Sequence, residues 1–194
     1  MISVYHKRHE DLVQSFKMER SLVACTDIDG LMQTLNINHN PLDWRLLTGS
    51  SKLSLKAVLL HNGNTLLSTP VGHSVHNKES YENLKILMEA IYYHKFKWQM
   101  CGDLKVIALL LGLQQEFTKY CCFICDWDSR AQPLHYSTKE WPARKSLEPG
   151  IMNVENQPLV EPSKILLLST HLKLGLMKNF VKAVNQEEAA FTYL

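Results

Sequence analysis

Residues 53–72, LSLKAVLLHNGNTLLSTPVG, carry the clearest local signal in the chain. Asn62, Gly63 and Asn64 stand between two apolar runs, and Asn and Gly tolerate the positive φ angles that tight hairpin turns require. The flanking runs KAVLLH and TLLSTP are therefore predicted to be antiparallel strands. Together with the preceding run WRLLTG, they make residues 44–70 a region of three successive antiparallel strands.

The hydrophobic period changes after this strand region. In ESYENLKILMEAIYYH, residues 79–94, apolar side chains recur at helical spacing, which predicts an amphipathic helix. KWQMCGD (97–103) then predicts a short strand, and LKVIALLLGLQ (104–114) predicts a largely buried helix. This order of elements predicts an α/β (α+β) fold, with a mixed sheet and flanking helices.

The two ends of the chain carry helical signals. HEDLVQSFKM (9–18) and DIDGLMQTLNI (27–37) predict two short helices, the second with Asp27 or Asp29 as its N-cap. HLKLGLMKNFVKAV (171–184) predicts a helix with a basic edge. The regular pattern fails between Gln115 and that last helix. We therefore predict an N-terminal helical segment at 1–40, a core at 41–115, and an insertion with the C-terminal helix at 116–194.

Composition narrows the function classes. The 21 Lys and Arg residues nearly balance the 19 Asp and Glu residues, and the net charge of +2 excludes a globally basic nucleic-acid binder. The longest apolar run, VIALLLGL, is too short for a bilayer span of about 20 residues. The N-terminus has no apolar stretch of signal-peptide length. These features predict an intracellular protein, nuclear or cytoplasmic, with no membrane partner.

Three of the five cysteines lie in CCFICDWDSR, residues 121–130. A reducing compartment and an odd count argue against a disulfide framework. Cys122 and Cys125 have the Cys-x-x-Cys spacing that lets two thiolates reach one Zn²⁺. A structural zinc would also hold the irregular segment that follows. Buried thiols and a redox pair are the alternatives.

Zinc needs two further ligands, and the downstream imidazoles are His135 and His171. The fourth position stays open between His135, Cys121 and Asp126. Asp103 is at the C-terminal end of the predicted strand WQMCGD, where a carboxylate can hold a divalent cation or cap the next helix. Lys164, Lys173, Lys178 and Lys182 are candidates for nucleic-acid contacts or for a solvated helix face.

The stretches DWRLLTGSSKLSLKAVLLHNGN, CGDLKVIALLLGLQQEFTKYCCFICDWDSR and STHLKLGLMKNFVKAV resemble a group of transposon-derived proteins of arthropods and cnidarians. This resemblance covers most of the chain. It implies a ribonuclease H-like sheet interrupted by a zinc-binding insertion, as in DDE transposases. The three antiparallel strands, helix and fourth strand predicted above agree with that order of elements.

In such enzymes, carboxylates on adjacent strands and on a later helix hold two Mg²⁺ or Mn²⁺ ions for phosphodiester chemistry. The resemblance makes Asp103 the second acid, but Gly49 occupies the position of the first. Asp43 lies six residues upstream, roughly 20 Å along an extended strand, and cannot replace it. Glu187 and Glu188 are weak candidates for the third acid.

The leading hypothesis is therefore a transposase-derived, ribonuclease H-like protein that is catalytically inactive. It would have a structural zinc site and retain binding to DNA. A zinc-stabilised protein-interaction or structural domain is the second hypothesis. The third is an active nuclease or strand transferase that requires magnesium or manganese.

Overall fold

The computed structural model describes residues 12–51, 54–116 and 118–183. The strands are β1 (Phe16–Glu19), β2 (Leu22–Cys25), β3 (Trp44–Ser51), β4 (Ser54–His61), β5 (Thr69–Val75), β6 (Gln99–Gly102) and β7 (Ile165–Leu167). The α-helices are α1 (Ile28–Thr34), α2 (Tyr81–Ala90), α3 (Tyr93–Phe96), α4 (Leu104–Leu110) and α5 (Ser169–Ala183). Short 3-10 helices lie at Pro41–Asp43, Gln132–Leu134 and Pro162–Lys164.

The strands form one seven-stranded mixed sheet in the order β1-β2-β5-β4-β3-β6-β7. The first five strands in this order, from β1 to β3, pair with their neighbours in antiparallel orientation. Strand β6 is parallel to β3, and β7 is parallel to β6. The predicted mixed sheet with flanking helices is therefore confirmed. Its strands come from residues 16–25, 44–102 and 165–167, so the sheet draws on all three of the predicted parts of the chain.

The main core lies between one face of the sheet and helices α1, α2 and α4. On β3 and β4, alternate residues are buried because successive side chains of a strand point to opposite faces. Gly72 lets α2 approach β5 closely, since a Cβ at that position would lie 2.5 Å from Leu87 Cδ1. Ser80 caps α2 by accepting a hydrogen bond from the backbone N–H of Asn83 at 3.2 Å.

Residues 118–156, which we call the insert, connect α4 to the segment before β7. Their described structure has one 3-10 turn and an isolated bridge between Cys125 and Ala143, and a second bridge joins Val154 to Leu113, just before the insert. Gly112 anchors the far end of the insert, because its carbonyl accepts hydrogen bonds from Glu155 N at 2.8 Å and Asn156 N at 3.1 Å. The irregular character predicted for this region is therefore observed, and its two ends are held together beside α4.

Helix α5 follows β7 after one residue and presents an apolar surface to solvent. Leu174, Leu176, Met177 and Phe180 are each more than half exposed. An apolar patch of this kind on a helix usually marks a contact surface. Among the described helices, none is long and apolar enough to cross a membrane.

Two elements differ from the prediction. The helix predicted at 9–18 is wrong over 16–18, because Phe16–Glu19 pairs with Leu22–Cys25 as a hairpin whose turn residue Arg20 has a φ of 55°. Residues 9–11 lie outside the described residues. The second difference is β7, which was not predicted: a three-residue strand has too few positions to show a period, and its partner β6 is remote in sequence.

The third strand of the predicted meander starts later than expected. Asn64 closes a turn by donating its N–H to the His61 carbonyl at 3.0 Å, and its φ of 53° agrees with the turn signal. The chain does not return to β4 directly, however. Leu67 is 87% exposed, and pairing resumes only at Thr69. Asp27, one of the two predicted caps of α1, accepts a hydrogen bond from Gly30 N at 3.0 Å.

Candidate functional site

The first candidate site lies at the edge of the sheet where β3 and β6 end. The paired residues of these parallel strands differ by 54, as in Arg45 with Gln99 and Leu47 with Cys101. Continuing this register by two residues brings Gly49 beside Asp103. Adjacent strands are about 4.8 Å apart, so side chains at these two positions are neighbours. A Cβ at Gly49 would meet no atom within 4 Å. The space for a second carboxylate is therefore open.

Asp103 is the N-cap of α4. Its Oδ1 accepts a hydrogen bond from Val106 N at 2.8 Å. The predicted cap role is thus observed, and it leaves the second carboxylate oxygen without a hydrogen bond within the described part of the chain. A carboxylate has lone pairs to spare, so capping does not prevent the same group from holding a cation.

The Lys105 ammonium group pairs with an acidic side chain near Asp103. Lys105 Nζ lies 2.9 Å from Glu79 Oε2. The pKa of Lys105 is raised, first by its hydrogen bond to Glu79 and then by the charges of Glu79, Asp103 and Glu116. Lys56, which pairs with Gly49 across β3 and β4, adds a second exposed cation. Lysine side chains therefore lie at the edge of the sheet where two-metal enzymes have clustered carboxylates.

The cap role of Asp103 predicts a graded loss of stability. Asp103→Ala removes the acceptor for Val106 N and should lower the free energy of unfolding by about 1 kcal/mol. Asp103→Asn keeps a side-chain oxygen and should cost only a few tenths of that, since Asn and Asp cap about equally well. Urea unfolding measures the free energy of unfolding of both variants. Ser80→Ala, which removes the N-cap of α2, is the matched control for the loss of a cap. Equal losses for Asn and Ala would contradict the cap role.

The second candidate site is the Cys122–Cys125 pair. The two sulfur atoms are 3.5 Å apart, well beyond a disulfide bond and near the roughly 3.8 Å edge of a tetrahedron with Zn–S bonds of about 2.3 Å. Ile124 N donates to Cys122 Sγ at 3.4 Å. This contact fixes the position of the Cys122 sulfur beside that of Cys125.

Protonation opposes metal binding at this pair. The pKa of Cys125 is raised, first by burial and then by its hydrogen bond with Cys122, while a backbone hydrogen bond from Trp127 lowers it. The raised pKa favours the thiol form of Cys125 in the absence of a metal. Because metal ligands must be deprotonated, the affinity of a zinc ion for this pair should rise with pH.

The remaining predicted ligands are not gathered around the pair. Among the residues that the structure describes, no three His, Cys, Asp or Glu side chains form a metal-binding group. Cys121 is exposed. His171 is the third residue of α5, and its side chain lies outside the described part of the structure. The two thiols thus fit zinc, and the structure does not complete the ligand set.

His135 has a fixed environment of its own. Its ring stacks on Trp127 with centroids 4.7 Å apart, and Trp141 meets it edge-on at 6.4 Å. Its Nε2 lies 2.7 Å from the Asp128 carbonyl oxygen. Because a carbonyl only accepts, Nε2 carries the proton in the neutral ring, and Nδ1 is the nitrogen left to bind a metal.

Arg144 organises the insert in a way that the sequence did not indicate. Its Nη2 donates to the carbonyls of Tyr120 at 3.2 Å and Met152 at 2.8 Å, and its backbone N–H pairs with Ile124. Its Nε and Nη1, together with Asp126 Oδ1, are buried without a hydrogen-bond partner in the described structure. Asp126 directly follows Cys125, so this unpaired oxygen lies next to the proposed zinc ligands.

The four predicted lysines lie on two elements of the fold. Lys164 ends the 3-10 helix before β7, whereas Lys173 and Lys178 lie beyond β7 on α5 and are exposed. The side chain of Lys182, like all of Glu187 and Glu188, is outside the described structure. Helix α5 has no Asp or Glu in its sequence, so the described part of the chain offers no third acid there.

A buried histidine forms a third polar cluster. His39 Nδ1 contacts Asp29 Oδ1 at 2.8 Å, while Trp98 Nε1 donates to His39 Nε2 at 3.3 Å. Lys95 also pairs with Asp29, and these two partners, Lys95 first, lower the pKa of that carboxyl. Both His39 nitrogens are therefore engaged, and this pair is a structural connection between α1 and β6 rather than a reactive dyad.

None of the curated proteins and none of the solved structures matches this chain. Two sequence families do. A domain of unknown function (DUF8704) matches residues 169–194, starting at the first residue of α5. Another domain of unknown function (DUF8703) matches residues 4–160, which include six of the seven strands and both candidate sites. Because this second match covers well over half of the sequence, the chain belongs to the DUF8703 family.

Proposed function

We propose that this chain is a transposase-derived, ribonuclease H-like protein that binds nucleic acid but does not cut it, and that zinc stabilises its insert. The topology supports the fold assignment. If β3 is counted as the first strand along the chain, the sheet order β5-β4-β3-β6-β7 is 3-2-1-4-5. Strands 3, 2 and 1 pair in antiparallel orientation, and strands 1, 4 and 5 pair in parallel orientation. The resemblance implies three antiparallel strands, a helix and a fourth strand, and the first four of these strands follow that order along the chain.

The observation that carries the proposed loss of activity is the register between β3 and β6. Extended by two residues beyond its last pair, Leu47 with Cys101, this register places position 49 opposite Asp103, and position 49 is glycine. A two-metal mechanism needs carboxylates on both strands to hold ions about 4 Å apart. Asp103 has no carboxylate partner at position 49. Lys105 beside it is paired with Glu79, and Lys56 is an exposed cation, so we expect this edge to favour phosphate contact over metal capture.

A duplex-binding measurement tests the binding half of this proposal. Fluorescence anisotropy with a labelled DNA duplex should show binding at low salt that weakens steeply as salt rises, with a log–log slope of about −0.9 for each phosphate contact. Incubation with Mg²⁺ or Mn²⁺ should leave the DNA intact. Cleavage that stops in Asp103→Ala would refute the loss of activity, and no affinity for single-stranded or duplex DNA at low salt would refute nucleic-acid binding.

The missing carboxylate can also be restored. Gly49→Asp has open space for its side chain and should create a pair of carboxylates that binds Mn²⁺ about tenfold more tightly than the wild type. Electron paramagnetic resonance of free Mn²⁺ gives the affinity.

The matched control is Lys56→Asp, which adds a carboxylate one strand further away, about 10 Å from Asp103. This variant should bind no better than wild type. The double variant Gly49→Asp, Asp103→Asn should lose the gain. If Gly49→Asp binds Mn²⁺ like the wild type, positions 49 and 103 do not form one site.

A second function, a zinc-stabilised protein-interaction domain, is supported by the exposed apolar residues of α5. Leu176 is 70% exposed and Phe180 is 59% exposed. On this alternative, a protein partner that co-purifies with the chain would be lost on Phe180→Glu and kept on Lys178→Glu. Retention of the partner in Phe180→Glu would exclude α5 as the contact surface.

A further inference from the structure

The insert has an unbalanced set of surface charges. Arg130, Lys139 and Lys145 are exposed, and none of them forms an ion pair within the described residues. Asp128, by contrast, is paired with Lys119 at 3.3 Å. Glu140 is the exposed acid that remains between Arg130 and Lys145. This part of the insert therefore has an excess of unpaired positive charge, although the whole chain is close to neutral.

Tyr136, in the same part of the insert, has an exposed aromatic ring on a loop that neighbouring contacts hold in place. Tyr136 is 100% exposed, and its neighbour Leu134 is 49% exposed. The loop beneath them is fixed by the stacked His135 and Trp127 rings and by the hydrogen bond of His135 to the Asp128 carbonyl. Tyr136 follows His135 directly, so its backbone is held in place while its ring points into water.

An exposed aromatic ring within the same short stretch of chain as unpaired cations is complementary to one class of polymer. Unpaired bases stack on aromatic side chains whatever their sequence, and the phosphates between them attract Lys and Arg. In duplex DNA the base faces are stacked on one another, so a duplex would contact only the cations. An acidic peptide would also use the cations but gains less from a ring that has no pocket around it.

We propose that residues 130–145 form a binding surface for single-stranded nucleic acid. Tyr136 stacks on an unpaired base, and Arg130, Lys139 and Lys145 contact the flanking phosphates. This inference rests on the proposed nucleic-acid binding of the chain and specifies its place and the form of its ligand. It differs from the sequence-based expectation, which assigned that contact to Lys164 and the lysines of α5.

Anisotropy with a labelled oligo-dT strand, at the same length and salt as the duplex, tests this proposal on the zinc-loaded full chain. Tyr136→Ala should weaken single-strand binding by about tenfold, and Tyr136→Phe should leave it near the wild-type value because the ring is retained. Lys139→Ala should reduce the salt slope by about 0.7, the value for one phosphate contact with a single strand. Tyr92→Ala, at a tyrosine that is 45% exposed but remote in sequence, should change nothing.

Two results separate this inference from the function it rests on. If the wild type binds oligo-dT, and Tyr136→Ala binds equally well while Lys173→Ala and Lys178→Ala bind less, the surface is α5 and the inference is wrong. If the wild type binds neither single strand nor duplex at low salt, the proposed function itself is wrong. A tenfold loss in Tyr136→Ala with unchanged circular dichroism supports the surface proposed here.

Discussion

Replacing Cys122 or Cys125 by serine is expected to abolish zinc binding and to unfold residues 118–156 while the sheet stays folded. The insert has a small apolar core: among its described residues, Val154 is the buried member of a hydrophobic cluster, and Phe123 and Leu147 pack against that cluster while partly exposed. A structural zinc in a four-ligand site contributes on the order of 10 kcal/mol at neutral pH, far more than a few hydrogen bonds. Losing one thiolate should remove most of that contribution.

Elemental analysis and hydrogen exchange measure the two parts of this result. The wild type should contain one zinc per chain and either variant none, and exchange should accelerate in the insert but not in β3 and β4. Cys121→Ser is the matched control, since Cys121 is exposed and should leave zinc in place. Separate loss of zinc in His135→Ala and His171→Ala would identify the other ligands. Wild-type protein without zinc after purification in zinc-containing medium would refute the site.

Gly112→Ala is expected to detach the far end of the insert from α4. The φ of Gly112 is +72°, which costs an alanine about 1–2 kcal/mol. In addition, a Cβ there would fall 2.0 Å from the Asn156 carbonyl oxygen and 2.7 Å from its carbon. These are backbone atoms, held by the two hydrogen bonds to the Gly112 carbonyl, so they cannot give way as a side chain would. The total loss should be about 3 kcal/mol or more.

Gly150→Ala is the matched control for this loss. Gly150 also has a positive φ, +90°, but a Cβ there would meet no atom within 4 Å. Its replacement should therefore cost only the backbone strain, about 1 kcal/mol. Urea unfolding of both variants separates strain from collision. Equal losses in the two variants would mean that the contact with Asn156 is not a constraint on the insert.

Local signals predicted the elements whose partners are close in sequence. The meander of β3, β4 and β5, the amphipathic α2 and the cap at Asp103 all follow from neighbouring residues, and all are present. The sequence did not predict the hairpin of β1 and β2, because Phe16–Glu19 belongs to a run whose pattern also fits a helix. The hairpin joins the sheet through the pairing of β2 with β5, which is a contact between residues remote in sequence. Pairing of this kind overrides local preference.

The candidate sites were predictable in part for the same reason. The Cys-x-x-Cys spacing is local, and the structure brings those two sulfurs to within 3.5 Å. The neighbourhood of Gly49 and Asp103 depends on a parallel register across more than 50 residues, which no local pattern encodes. The role of Arg144 was invisible because its partners are backbone carbonyls, and any sequence supplies those.

The late position of β7 has a consequence for synthesis. Strand β6 is complete at Gly102, but its outer neighbour ends at Leu167, 65 residues later. At about 5–20 residues per second, the ribosome needs roughly 3–13 s to make that stretch. During this interval β6 is an open edge, the kind of surface at which nascent chains aggregate. Cys122 and Cys125 are made about a third of the way through it, so this edge is still uncovered while most of the insert is being made.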